Sequence, residues 1–425
     1  MKIVLVEPNR ENFTRGMYLD REIWCEPLAL QYLAAQLPLD YKVKIISQRH
    51  LSNNDLISRI LNEKPDIVGF SVYTFTAPNT ERLCDKIKEK NPSIVTVVGG
   101  YHVSGFPKMV LHESIDFGVI GEGEITFREL VDAISKDQDI TKIDGLAYEK
   151  NGEVCLTSPR KRITNLDSLN FPVRDRKFFD ESVGDYPEFQ IAYSRGCYNH
   201  CRFCDSCKIW GHNVIWRSPG NLVDEMKEAI DLTGKNVFYF TDLTFNANKE
   251  RVLMLADEIK KQGLDVKYSV MCSIRGVDEE LLRIMKDSGC FEIRFGVESL
   301  DLSTRRSTLN KTGSIAAVEK ALELTHKLGI RTRAYFMIGY PKDTLESLEM
   351  VRRGILALPV DDIRVSFFTP LPTTSIYEEY RSRGLLLTED FSKYTTDNPV
   401  VKCGVSSEKF VEIRKEIYRT FFGEK

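Results

Sequence analysis

The sequence predicts an α/β protein of two successive units, a doubly wound flavodoxin-like domain followed by a second run of parallel strands and helices. Three observations carry this. Short β-branched runs alternate with helix-like segments twice along the chain, which is the pattern of parallel sheets flanked by helices. The two runs are separated by a stretch where the alternation loosens. With 425 residues the chain exceeds a usual single domain, and 42% hydrophobic with 28% charged residues is an ordinary globular composition.

In the first unit, residues 1–142, strands are expected at Lys2–Val6, Val43–Ser47, Ile67–Val72, Ile94–Val98 and Phe117–Ile120. The opening MKIVLVEPNR reads as a strand and not a signal peptide, because its apolar run stops at Glu7. Ligands of doubly wound sheets bind beyond the carboxyl ends of the strands. The turns there are Glu7-Pro8-Asn9, Ser71 to Thr76, Gly99-Gly100-Tyr101-His102 and Gly121-Glu122-Gly123-Glu124, whose glycines let backbone approach a ligand closely. Residues 143–188 read as a connector. It holds a hairpin around Asn151-Gly152, a strong two-residue turn signal, and the segment LDSLNFPVR, where Pro172 ends any helix.

The second unit, residues 189–377, places strands at Phe189–Tyr193, Val237–Thr241, Lys267–Cys272, Glu292–Gly296, Arg331–Ile338 and Ile363–Phe368. Its first strand runs into Cys197, Cys201 and Cys204, a CxxxCxxC loop whose soft thiolates can converge on an iron–sulfur cluster. A structural zinc completed by Cys207, His200 or His212, and plain unligated thiols, are the alternatives. Cys207 could also close a four-ligand cluster, though its position suits a residue past the loop where a helix begins. From 378 to 425 the chain reads as a helical region, with Phe410, Ile413, Ile417 and Phe421 at amphipathic spacing.

A net charge of −3 with scattered basic residues argues against a nucleic-acid partner, and no stretch approaches the ~20 apolar residues that span a bilayer. Ten cysteines, four of them crowded together, suggest reduced thiols in the cytoplasm rather than a secreted disulfide framework.

The stretch AYSRGCYNHCRFCDSCKIW, from Ala192 to Trp210, resembles the cluster loop of radical S-adenosylmethionine (SAM) enzymes. FGVES resembles that family's fourth-strand motif and MIGYP its fifth-strand turn. VVGGYHVSGFP with GVIGEGE is similar to the amino-terminal cobalamin-binding domain of one large subgroup. The resemblance covers nearly the whole chain and implies a six-stranded partial (β/α) barrel behind the cobalamin domain. It implies three cofactors: a 4Fe–4S cluster on Cys197, Cys201 and Cys204, SAM on its open iron, and cobalamin.

For SAM it implies Phe203 against adenine, Glu298 and Ser299 near the ribose, Gly339 in the turn near adenine, and Arg275 as a carboxylate partner. Thr241 and Asp242 stand where many members carry a glycine and glutamate motif for the amino group. For cobalamin it implies Pro8, Ser71, Tyr73, Thr74, Gly99, Gly100, His102, Gly121, Glu122 and Gly123. The DxHxxG motif is absent, so His102 is read as hydrogen-bonding or structural rather than a cobalt ligand, and Glu122 and Glu124 could equally be helix amino-terminal residues. Tyr394 and Cys403 are candidate substrate contacts, Cys403 more simply an ordinary thiol.

The implied activity is methylation of an unactivated carbon in a small metabolite, natural-product intermediate or peptide, with an external electron donor. A non-methylating radical cyclisation or rearrangement is the alternative within the same architecture, and a non-catalytic corrinoid or redox sensor the alternative outside it.

Overall fold

The computed structural model of the chain describes residues 1–9, 25–311 and 313–423. Among these the strands form three sheets. The first contains β1 (Lys2–Glu7), β2 (Lys42–Ser47), β3 (Ile67–Ser71), β4 (Val95–Gly99), β5 (Phe117–Val119), β6 (Leu146–Lys150) and β7 (Glu153–Leu156). Its order is β2-β1-β3-β4-β5-β6-β7. The five leading strands are parallel, in the doubly wound order with its switch point between β1 and β3. Ile3, Val4, Leu5 and Val6 are all buried, as a central strand covered on both faces requires.

One feature departs from the expected division. The hairpin β6–β7 belongs to the first sheet, because β6 pairs antiparallel with β5. Asn151 and Gly152 both take positive φ (55° and 81°), the two-residue turn that matches strand twist. Further along the connector, Asp180 donates its N–H to Ile45 O at 2.9 Å and so covers the outer edge of β2.

The second sheet contains β8 (Phe189–Ile191), β11 (Val237–Phe240), β12 (Lys267–Cys272), β13 (Cys290–Glu298), β14 (Arg331–Ile338) and β15 (Asp362–Phe367). All its pairings are parallel, in the order β15-β14-β13-β12-β11-β8, so the curved sheet is open between β8 and β15. Along β14, Thr332, Ala334, Phe336 and Ile338 are buried while Arg333, Tyr335 and Met337 are half-buried on the opposite face, the period-two signature of a strand. At the amino-terminal end of the barrel Arg294 pairs with Glu292 at 2.7 Å and Arg333 with Asp362 at 2.8 Å, a buried ionic floor opposite the end that carries ligands.

The open edge of β15 is covered by the tail. Helix Ser407–Phe422 buries Phe410, Ile413 and Ile417, and the Tyr418 hydroxyl accepts the Val365 N–H at 2.9 Å. An edge strand with unpaired N–H groups is thereby satisfied. Tyr394 and Cys403 serve the same region: Tyr394 is 2% exposed in an aromatic cluster, and the Cys403 thiol faces Val401 O and Val405 O. Among the described residues no helix is long and apolar enough to cross a membrane.

Candidate functional site

After β8 the chain forms a short strand, β9 (Ser194–Arg195), paired antiparallel with β10 (Ile215–Trp216), and the cysteine loop is the excursion between them. Gly196 turns the chain into it with φ 110°, where a Cβ would lie 2.3 Å from Asn213 O, so only glycine fits. Cys197 N–H donates to Gly211 O at 3.2 Å, Arg202 N–H to Leu309 O at 3.1 Å, and the Asn310 amide to His200 O at 2.9 Å. The loop is therefore tied at both ends and along its outer side.

Cys197 and Cys201 are half-buried and Cys204 is exposed. Burial, then the charges of neighbouring thiols, pushes the Cys207 thiol up to about 12; burial pushes Cys201 up to about 11. Among the described residues no three His, Cys, Asp or Glu side chains close on one point as a single metal ion requires. The three soft thiols of this loop, mutually close and unfavourable as bare thiolates, fit a larger cationic iron–sulfur group that stabilises deprotonated sulfur. Thr244 Oγ1 and Asn199 Nδ2, at 3.4 and 3.5 Å from Cys197 Sγ, can donate to such a sulfur. Cys207 begins helix Cys207–Trp210 and directs its thiol at Cys197 O and Asn199 O.

The SAM residues fall into two groups. Glu298 ends β13 at a register shift, with a strained positive φ of 67°, and its Oε1 lies 3.0 Å from Lys311 Nζ. Gly296 makes room for this pair, since a Cβ there would stand 2.5 Å from Glu298 Oε1. Phe203 packs on the aromatic cluster containing Tyr340 and Phe368, Gly339 turns with φ 93° and donates its N–H to Asp343 Oδ2, and Thr241 opens onto the central cavity.

The other group is placed differently from the expectation. Asp242 is 1% exposed and accepts from the Tyr193 N–H at 3.0 Å and the Ser194 hydroxyl at 2.5 Å, so it fastens the loop entry instead of facing a ligand. Ser299 is buried, its hydroxyl accepting the Asp301 N–H. Arg275 is exposed on the turn after β12. The cation nearest Glu298 and Cys201 is Lys311, which the spacing did not single out. Arg305, buried and donating to Val297 O and Ser299 O, holds the Glu298 turn. A π-helical turn at Thr304–Thr308 returns both cations towards β13, and no sequence period announces it.

A cavity of about 430 Å³ lies where the carboxyl ends of the two parallel sheets meet. From the first domain Ser71, Tyr73, Gly99 and Gly100 line it, with Gly121, Glu122 and Gly123 beside them; Gln190, Tyr239 and Thr241 enter from the barrel and Gly196 from the cysteine loop. Gly121, at φ 80°, has no atom within 4 Å of where a Cβ would stand, a side-chain-free cradle that fits close approach of a large planar ligand such as cobalamin. Tyr73 stacks on Tyr101 with ring centres 5.8 Å apart.

Pro8, Thr74 and His102 lie off this wall. Pro8 is buried. His102 is 1% exposed, with Nδ1 3.3 Å from Thr74 Oγ1 and its ring packed on Phe106 and Phe391; burial lowers its pKa to about 4. His102 is a core residue here because the turn after Gly100 enters a helix that carries its side chain inward. Glu122 lines the cavity but spends its carboxylate on the Ile163 N–H at 2.8 Å and on Arg195 at 2.9 Å.

Residues 20–131 match the B12 binding domain family and residues 191–354 the Radical SAM superfamily. An uncharacterized methyltransferase of Pyrococcus horikoshii is 32% identical over 99% of this chain and 92% of its own. The anaerobic magnesium-protoporphyrin IX monomethyl ester cyclase of Rubrivivax gelatinosus is 27% identical over 100% of this chain and 78% of its own. The radical SAM methyltransferase TsrM of Kitasatospora setae, solved with cobalamin and a [4Fe–4S] cluster, superposes with a TM-score of 0.74 at 20% identity, covering 91% of this chain and 76% of that one.

Proposed function

The chain belongs to the cobalamin-dependent radical SAM methylase family, and from that premise we propose that it transfers a methyl group to an unactivated carbon of a small metabolite, natural-product intermediate or peptide. The observation that carries the reading is the cavity shared by the carboxyl ends of both sheets, with the glycine turns of the first domain on one side and the entry to the cysteine loop on the other. When bound, the cluster supplies the electron that cleaves SAM homolytically and cobalamin supplies a methyl carrier.

The residues divide the work by position. Cys197, Cys201 and Cys204 hold the cluster, with Thr244 and Asn199 donating to the Cys197 sulfur. Lys311, rather than the exposed Arg275, offers a cation to the SAM carboxylate, and Glu298 offers acceptor oxygens to its ribose hydroxyls; each neutralises the other until SAM arrives. Phe203 and the Gly339 turn supply an apolar seat for adenine, while Ser71, Tyr73, Gly99, Gly100 and the Gly121–Gly123 turn cradle the corrin. Apolar walls keep water from a carbon radical. An external electron donor would reduce the cluster, because cleaving SAM consumes one electron.

The test is product analysis after anaerobic reconstitution with iron and sulfide, followed by SAM and a strong reductant, with and without hydroxocobalamin. Formation of 5′-deoxyadenosine together with cobalamin-dependent S-adenosylhomocysteine is expected. 5′-Deoxyadenosine alone, with cobalamin bound, would replace methyl transfer by a radical cyclisation or rearrangement. Failure to bind cobalamin would overturn the reading of the first domain.

A further inference from the structure

The loop that lines the cavity and the loop that bears the cysteines are joined by one side chain. Arg195 stands two residues before Cys197, on β9, and reaches across to the first domain. One guanidinium nitrogen lies 2.9 Å from Glu122 Oε1 and another 2.5 Å from Glu124 Oε1. Its planar group lies over the rings of Tyr32, at 5.4 Å, and Trp210, at 4.9 Å. Trp210, from the helix that ends the cysteine loop, donates its indole N–H to the Tyr101 hydroxyl at 2.6 Å, and Tyr101 in turn stacks on Tyr73 at the cavity wall. The other Glu122 oxygen accepts from Ile163 in the connector. Arg195, Glu122 and Glu124 are each less than 8% exposed.

We propose that Arg195 is a positioning residue that fixes the separation between the cluster and the corrin; the inference rests on the methylase reading above. A methyl carrier and a SAM-cleaving centre must address the same substrate carbon, and a small misplacement is costly in such a geometry. The two loops come from different sheets and are far apart in sequence, so their spacing is set by what bridges them. Arginine suits the bridge because a rigid planar fork can serve two carboxylates while its guanidinium also lies against the Tyr32 and Trp210 rings. Lysine presents a compact point charge on a flexible stem and cannot hold both carboxylates in one fixed planar geometry. Two acidic partners for one guanidinium would leave excess negative charge, and Arg162, 3.9 Å from Glu122, balances it. Truncating either side would leave a buried charge unpaired, so the bridge holds as a unit.

The experiment compares wild type, Arg195→Lys and Glu124→Gln, each reconstituted with its cluster and loaded with cob(II)alamin. The cluster is reduced and the dipolar splitting between the two paramagnets is read by EPR. Wild type is expected to show one resolved splitting. Arg195→Lys should retain the iron content and the EPR signal of the cluster measured without cobalamin, yet lose the resolved splitting to a broad distribution; Glu124→Gln, which keeps the Glu122 contact, should broaden it partially. An unchanged splitting in both variants, even with a lowered Tm, makes Arg195 a stabilising residue only and overturns the proposal. If Arg195→Lys does not fold, Glu124→Gln decides alone. Absence of bound cobalamin would instead refute the parent reading, whereas bound cobalamin with no resolved splitting in wild type would overturn the proposal itself.

Discussion

Replacing Asp242 by Asn tests whether this carboxylate builds the loop or meets SAM. Both its oxygens accept hydrogen bonds from the residues that lead into the cysteine loop. Burial, only partly offset by those bonds, raises its pKa from 3.8 to about 6. A carboxyl raised in the folded state contributes stability that is complete below pH 3.8 and is lost as pH rises through about 6. The gap, about 2 in pKa, corresponds to about 3 kcal/mol. Asparagine carries no charge, and it keeps both contacts if its oxygen takes the Tyr193 N–H and its amide donates to the Ser194 hydroxyl. The variant should therefore gain on wild type by about 3 kcal/mol between about pH 4 and about pH 8. Urea unfolding of the iron-free protein, followed by tryptophan fluorescence, reads this directly, since Trp216 sits edge-on to Tyr193 with ring centres 5.0 Å apart. Parallel pH curves for the two proteins, together with weakened SAM binding in the variant, would refute the structural role and restore Asp242 as a ligand.

Changing Cys197, Cys201 or Cys204 to Ala should abolish SAM cleavage, whereas Cys207→Ala should keep the cluster and its response to SAM; iron analysis and EPR separate the two outcomes. Gly196→Ala places a methyl group 2.3 Å from Asn213 O at a positive φ, and reconstitution should yield little bound iron per chain. Tyr418→Phe leaves the Val365 N–H without its acceptor and should cost about 1–3 kcal/mol, measured as a lower urea midpoint. His102→Gln should bind cobalamin with an unaltered absorption spectrum. Because burial depresses the His102 pKa from 6.5 to about 4, its stabilising contribution is present above pH 6.5 and lost as pH falls through about 4, so the Gln variant should lose less stability across that window.

The alternating runs of apolar residues were legible because strand period and turn chemistry are local. Lys2–Glu7, Lys267–Cys272 and Arg331–Ile338 needed only their own side chains to be read as strands, and the Asn151-Gly152 turn only its own two residues. The cysteine loop was equally legible, since ligand type and spacing are written consecutively. The hairpin's allegiance was not: β6 joins the first sheet through pairing with β5, a contact between segments that sequence period does not link.

The polar residues at strand ends show the limit most clearly. From the sequence Asp242, Ser299 and Glu298 are alike, each a polar residue at or just beyond the end of a barrel strand. In the structure the first is consumed by Tyr193 and Ser194 and the second by the Asp301 N–H, while Glu298 faces Lys311. His102 stands in the stretch that resembles a cobalamin-binding domain, yet its side chain lies in the core against Phe106 and Phe391. By itself the sequence determined two α/β units, their order, the closely spaced cysteine loop and the glycines that let backbone approach a ligand. Only the tertiary structure decided which side chains face the shared cavity and that Arg195 meets Glu122 and Glu124. Local period and spacing are properties of neighbours in the chain, whereas burial and charge pairing depend on groups that packing brings together from more than 70 positions away.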